Sequence, residues 1–302
     1  MRSWQLFGGL VYLALIAEVI PSSVAADPAP EITFEVGVEY SNPDDQHLAM
    51  NIAQPKLSNA LRPAILCIHG GGFRAGKRDS YDGLCKQLAE RGYVAATTSY
   101  RLAPKYQFPA AVYDVKAAVR FLRANAAKYQ IDPDRIGVVG GSAGGHLAQF
   151  LGVTGGVAQF EGDGGHPTVS SRVSCVVNFY GPSDFTKSYG KSVDAAEVLP
   201  LWCGGDLTSK LHQHQIGSPL NWVTPEAAPT LLIHGTEDKY VAFEQAEWML
   251  ARYQQVGAEV ELLKLEGAGH GFKGPDADKA NAAMFEFFDK HYRRTTSKAE
   301  ER

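Results

Sequence analysis

The chain has 302 residues, 45% of them hydrophobic and 21% charged, enough apolar material to bury a sizeable core and to exclude an intrinsically disordered protein. Its 29 Lys and Arg stand against 33 Asp and Glu, a formal charge of -4, so neither nucleic acid nor an anionic membrane surface is a suggested partner. The length suits one α/β domain.

At the N-terminus Arg2 precedes an apolar run from Leu6 to Ala17, followed by Pro21-Ser22-Ser23-Val24-Ala25-Ala26, whose small residues suit cleavage. Residues 1–26 therefore read as a secretory signal peptide, with 27–302 as the mature domain of a secreted or periplasmic protein and no stable membrane association after cleavage. The apolar run is too short for a membrane span, although an uncleaved anchor is the alternative. Cysteines stand at 67, 85, 175 and 203 with no Cys-x-x-Cys pair, which argues against a metal site or a disulfide framework. Cys67 and Cys175 lie inside apolar runs, as small buried hydrophobes do; pairing of Cys85 or Cys203 stays open.

Glu31 to Tyr40 and His47 to Ala53 alternate around the turn Ser41-Asn42-Pro43-Asp44-Asp45 and read as an antiparallel strand pair. Ala64 to Ile68 is a short, continuously apolar run, the pattern of a parallel strand covered on both faces, and it ends in His69-Gly70-Gly71-Gly72-Phe73. Tyr81 to Arg91 reads as helix, Tyr93 to Thr98 as strand, and Pro109 to Tyr129 as one long helix whose buried face is Val115, Ala118, Val119 and Leu122. Strands follow at Arg135 to Val139, Val173 to Phe179, Thr230 to His234 and Val260 to Leu265, with helices around Ala246 to Tyr253 and Asp276 to His291. This alternation predicts a mostly parallel central sheet with helices on both faces. Gly155 to Ser171 reads as a surface loop, and 184–219, which has no clear period, as a small insertion over the strand ends.

In such a sheet, ligands bind beyond the carboxyl ends of the strands. Gly140-Gly141-Ser142-Ala143-Gly144 lies between a strand and a helix, the setting of a sharp turn that exposes a serine hydroxyl between small neighbours. A phosphate cradle has the same glycine-rich form. Two further residues follow strands and decide between these: Asp238 after the strand ending at His234, and His270 in Gly267-Ala268-Gly269-His270-Gly271-Phe272. Ser142, Asp238 and His270 thus occur in the chain order of a hydrolase nucleophile, acid and base. Glu237 and Asp184 are alternative acids. His146 lies along the helix after the serine and points away from its hydroxyl, while His212 and His214 have no acidic or cysteine partner nearby and read as surface residues. The unobstructed amides of Gly71 and Gly72, together with that of Ala143, suit the negative oxygen of a tetrahedral intermediate. Trp202, Phe73 and the Tyr189 region are candidate linings of an acyl or alcohol pocket.

Taken together these residues resemble the α/β-hydrolase fold, and more narrowly the esterases with a His-Gly-Gly-Gly oxyanion motif, a group that includes hormone-sensitive-lipase-like carboxylesterases. Tyr100-Arg101-Leu102-Ala103-Pro104, Phe108-Pro109-Ala110-Ala111 and Asp114 extend the likeness, which covers about Ala64 to His291. Little chain precedes His69 for an N-terminal helical cap, which fits better the compact acetyl-xylan and feruloyl esterase types. The resemblance implies a serine carboxylesterase with no cofactor, acting on small-molecule esters of short acyl or acetyl groups, acylated carbohydrate among them. An amidase or peptidase on the same triad is the alternative within enzymes, and a catalytically silent binding protein the alternative outside them.

Overall fold

The computed structural model describes residues 30–56 and 60–293; the signal segment 1–26 lies outside them. An antiparallel pair, β1 (Ile32–Ser41) and β2 (Leu48–Pro55), begins the fold. β3 (Arg62–Ile68), α1 (Asp82–Glu90), β4 (Val94–Thr98), α2 (Ala110–Ala124), α3 (Ala126–Tyr129), β5 (Ile131–Gly141) and α4 (Ala143–Val153) follow, and then β6 (Val176–Phe179). Three short helices come next, α5 (Val193–Glu197), α6 (Leu199–Cys203) and α7 (Leu211–Ile216), before β7 (Thr230–Gly235), α8 (Glu244–Val256), β8 (Val260–Leu265) and α9 (Pro275–Arg293). The eight strands form one sheet in the order β1-β2-β4-β3-β5-β6-β7-β8, parallel from β4 to β8.

Strand periodicity divides the core in two. On β3, Ala64, Leu66 and Ile68 join the layer beneath α2 and α4, while Ile65 and Cys67 join the layer beneath α1 and α9. Because side chains of a strand alternate between faces, a continuously apolar run such as 64–68 requires helices on both sides, and both are present. Among the described residues no helix is long and apolar enough to cross a membrane. All four cysteines are free and buried.

The expected long helix over 109–129 is broken: α2 ends at Ala124, and α3 starts after Asn125, whose Nδ2 donates to the Phe121 carbonyl at 2.9 Å. That local bond competes with continuation of the helix. The 155–171 stretch is also more than a surface loop. Phe160 is buried against Phe150 and Phe108, and Glu161 reaches the buried Lys116, whose Nζ donates to Glu161 Oε1 (2.9 Å), the Thr154 carbonyl (2.7 Å) and Ser171 Oγ (3.3 Å). The charges that α2 carries into the core are thus fully partnered, as burial of an ammonium requires.

Residues 184–219 pack on loops at the carboxyl ends of the strands: Val193 N donates to Lys239 O (3.2 Å), and Glu197 pairs with Arg74 (3.5 Å). Trp202 and Phe73, candidate pocket linings, are buried in the core instead. Trp202 is fully buried, stacked on Phe73 at 4.3 Å and edge-on to Phe108, His146 and Phe185. Trp202 therefore ties the loop after β3 to the insertion, and Trp202→Ala should destabilise the protein by about 3–5 kcal/mol, read as a lower urea midpoint. His214 is likewise no surface residue; it is buried, with Nε2 3.0 Å from the Tyr189 hydroxyl and Nδ1 2.9 Å from the Lys210 carbonyl.

Candidate active site

Ser142 occupies the junction of β5 and α4 with φ 56° and ψ −121°, a conformation that costs a non-glycine residue of the order of 1–3 kcal/mol and persists only where its surroundings enforce it. Two hydrogen bonds enforce it here. Ser142 N donates to Phe179 O on the neighbouring β6, and its own carbonyl accepts from His146 N, both at 2.9 Å. The close approach of α4 to β3 also demands glycine at 144, since a Cβ there would lie 2.0 Å from the Ile68 carbonyl oxygen.

Since β5, β7 and β8 run parallel, the loops that follow them emerge at one edge of the sheet. Asp238 comes from the loop after β7 and His270 from the loop after β8. His270 Nε2 lies 3.0 Å from Ser142 Oγ, and its Nδ1 lies 2.7 Å from Asp238 Oδ2. With Nδ1–H donating to the carboxylate, Nε2 is left as an acceptor for the serine hydroxyl. Asp238 Oδ1 accepts from Tyr240 N and Val241 N, both at 2.9 Å. Burial pushes the Asp238 carboxyl up, but the hydrogen bonds from His234, His270 and Val241 outweigh it and hold the group at about 2. It is a fixed anion at neutral pH.

The alternative acids and bases sit elsewhere. Glu237 is exposed. Asp184 Oδ1 accepts from Thr186 N (2.9 Å) and Thr186 Oγ1 (2.6 Å), and its Oδ2 pairs with Lys187. His146 is fully buried, its Nδ1 3.0 Å from the Pro182 carbonyl, and burial pushes it down to about 3; a nitrogen that weakly basic accepts no proton at neutral pH.

The 69–73 loop leaves β3 beside the serine because β3 pairs directly with β5. Gly71 has φ 112°, and a Cβ on it would lie 2.2 Å from the Ala75 carbonyl oxygen. Among the described residues, the N–H groups of Gly71, Gly72 and Ala143 donate to no protein acceptor. His69 supports the loop. Its ring stacks on Tyr100 at 4.3 Å, its Nδ1–H donates to Gly70 O (2.8 Å), and the Tyr100 hydroxyl donates to His69 O (2.9 Å). Tyr100 is held in turn by Arg101, whose backbone N–H and guanidinium both bind Asp114 at 2.8 Å.

Ser142 and His270 open into a cavity of about 460 Å³ lined by Gly70, Gly71, Gly72, Gly141 and Gly271, with Arg74, Ala75, Tyr81, Tyr180 and Tyr240. No Leu, Ile, Val or Phe lines it. Burial pushes the Tyr81 and Tyr180 phenols up, in Tyr180 with help from the Asp238 charge, so both remain protonated hydroxyls. Tyr180, at φ 43°, sets its ring edge-on to His270 at 4.6 Å. These tyrosines and His234, which lies 3.3 Å from Asp238 Oδ2, escape a reading of the sequence. The available signal for His234 is a polar residue closing the apolar run Leu231-Leu232-Ile233, four positions before the acid.

The family described as BD-FAE matches residues 50–253. Esterase LipC of Mycobacterium tuberculosis is 34% identical over 217 residues, 70% of this chain and 53% of the relative. Among solved structures, a truncated carbohydrate esterase from gut microbiota superposes with a TM-score of 0.76 at 29% identity, covering 86% of this chain and 96% of that one. Esterase 2 of Thermogutta terrifontis with butyrate bound gives 0.72 at 26%, covering 87% and 94%. The chain spans about half the length of the curated relatives it matches.

Proposed function

Because the chain belongs to the BD-FAE family of α/β-hydrolase esterases, we propose that it is a serine carboxylesterase hydrolysing acetyl and other short acyl esters, with acylated carbohydrate as the alcohol-bearing substrate. The observation that carries this reading is the unbroken relay from Asp238 Oδ2 through His270 to Ser142 Oγ, with contacts of 2.7 and 3.0 Å, beside three unengaged amides.

Ser142 Oγ attacks the ester carbonyl as its proton passes to His270 Nε2, and Asp238 holds the ring in the required tautomer and stabilises the imidazolium. The carbonyl oxygen, now negative, accepts from the N–H groups of Gly71, Gly72 and Ala143; each such donor contributes about 2.7–4 kcal/mol to lowering the barrier. His270 then returns its proton to the leaving alcohol. Water, deprotonated by the same nitrogen, cleaves the acyl-enzyme and frees the acid.

Substrate class follows from the walls. Glycines, tyrosine hydroxyls and the Arg74 guanidinium offer hydrogen bonds and ring faces to a polar alcohol, and the Ala75 methyl is the one aliphatic side chain on these walls. The gut carbohydrate esterase and the butyrate-bound esterase, each similar to this chain, favour the same assignment. The segment 1–26 supports export as the route by which such an enzyme meets polymeric or extracellular esters.

The test is a series of p-nitrophenyl esters from acetate to decanoate alongside acetylated xylo-oligosaccharide. Expected is a kcat/KM maximum at acetate to butyrate, with decanoate lower by about 10- to 200-fold, the discrimination that one to three kcal/mol of lost apolar contact confers, and release of acetate from the sugar. A maximum at decanoate, or turnover of anilides equal to that of esters, would sink the assignment.

A further inference from the structure

His234 is the last-but-one residue of β7 and is completely buried. Its Nε2 lies 2.9 Å from the Val241 carbonyl oxygen and 3.3 Å from Asp238 Oδ2. A carbonyl oxygen only accepts, so Nε2 carries the hydrogen and donates it to Val241 O, with Asp238 Oδ2 beside it. The other ring nitrogen, Nδ1, is buried and has no hydrogen-bond partner among the described residues. An orphaned buried polar atom is a cost that an apolar side chain of similar size avoids, and the neighbours on β7, Leu231, Leu232 and Ile233, are such side chains. The bond to Val241 O and the orphaned Nδ1 offset one another, so stability gives little net reason for a histidine here.

The geometry supplies one. We propose that His234 is a positioning residue that fixes the Asp238 carboxylate against His270, so that the relay is aligned before substrate arrives. The carboxylate has three other donors. Oδ1 takes Tyr240 N and Val241 N, and Oδ2 takes His270 Nδ1–H. Both oxygens turn together about the Cβ–Cγ bond, so the carboxylate is held only as firmly as the turn 238–241 that carries the backbone pair. His234 sets its Nε2 3.3 Å from Oδ2. By holding Val241 O as well, it secures the turn 238–241 whose amides are themselves donors to Oδ1. Those three bonds, with the turn behind them clamped and His234 Nε2 beside Oδ2, leave the carboxylate a single orientation, which is what efficient transfer of a proton onto His270 requires.

This inference rests on the esterase reading, and the experiment separates the two. His234→Leu keeps the buried volume and removes the donor; His234→Gln retains an amide N–H at the reach of Nε2; His234→Asn is too short to reach. With p-nitrophenyl acetate, His234→Leu should lower kcat about tenfold, the equivalent of one hydrogen bond to a charged group, with KM unchanged. Its urea midpoint should stay near that of the wild type, because loss of the bond to Val241 O is offset by removal of the orphaned nitrogen. His234→Gln should recover most of kcat. If the leucine variant does not fold, the Gln and Asn pair carries the test: Gln close to wild type, Asn about tenfold slower. Full kcat in the leucine variant, equal kcat in Gln and Asn, or a fall in kcat matched by a fall in stability overturns the proposal. Wild-type protein is labelled with a fluorophosphonate in parallel. Absence of an adduct on Ser142 removes the esterase reading and this inference with it, whereas an adduct together with a fully active leucine variant removes this inference alone.

Discussion

Ser142→Ala should abolish ester hydrolysis, lowering kcat by about a millionfold, while leaving fold and stability intact. The substitution removes a single oxygen. Alanine's Cβ takes the place of the serine Cβ, and the two bonds that hold the turn, Ser142 N to Phe179 O and His146 N to Ser142 O, involve backbone only. Among the described residues the side chain makes one hydrogen bond, to His270 Nε2, so nothing in the core depends on it. What remains in the variant is the amide pocket and the cavity, which by themselves retain about 10³–10⁴-fold acceleration over water. Steady-state turnover of p-nitrophenyl butyrate measures the loss. Intact mass after fluorophosphonate treatment should show one adduct on the wild type and none on the variant, with superimposable circular dichroism. Undiminished turnover would assign the nucleophile to another residue.

The chemistry of this site was legible where it depends on the backbone. A strand that ends in consecutive glycines, a serine between small residues, and an aspartate and a histidine each placed just after an apolar run all report local conformation, and parallel strand order brings such positions to one edge. Tyr180 and Tyr81 were illegible for the converse reason. Their roles depend on which strands are neighbours: Tyr180 reaches His270 only because β6 lies between β5 and β7. Trp202 and His214 sit in an insertion without a period, where burial is decided entirely by what folds over them. Lys116 and Arg120 show the limit from the other side. A helical pattern places charges on α2, but only the return of Glu161 onto that face makes their burial tolerable.

Asp238→Asn should cost about 10⁴-fold in kcat although it is nearly isosteric. Every group bonded to the wild-type carboxylate is a donor, two backbone amides on Oδ1 and His270 Nδ1 on Oδ2, with His234 Nε2 3.3 Å from Oδ2. An asparagine satisfies the backbone pair with its carbonyl oxygen and must then turn its NH₂ toward His270 Nδ1. That nitrogen becomes the acceptor, the ring hydrogen moves to Nε2, and the serine hydroxyl faces a donor instead of a base. Substrate binding is untouched, so KM should change little while kcat collapses. Stability against pH offers a second check. The carboxyl is held at about 2 against an ordinary 3.8, so its folded-state pKa is depressed; the stabilisation it gives, of the order of 2 kcal/mol, is complete above about pH 4 and disappears as pH falls toward 2. Asparagine has no such titration. The difference in unfolding free energy between wild type and Asp238→Asn should therefore shrink across that window. A difference that stays constant from pH 5 to pH 2 would mean that the carboxylate is not the buried, multiply bonded anion on which the tautomer argument relies.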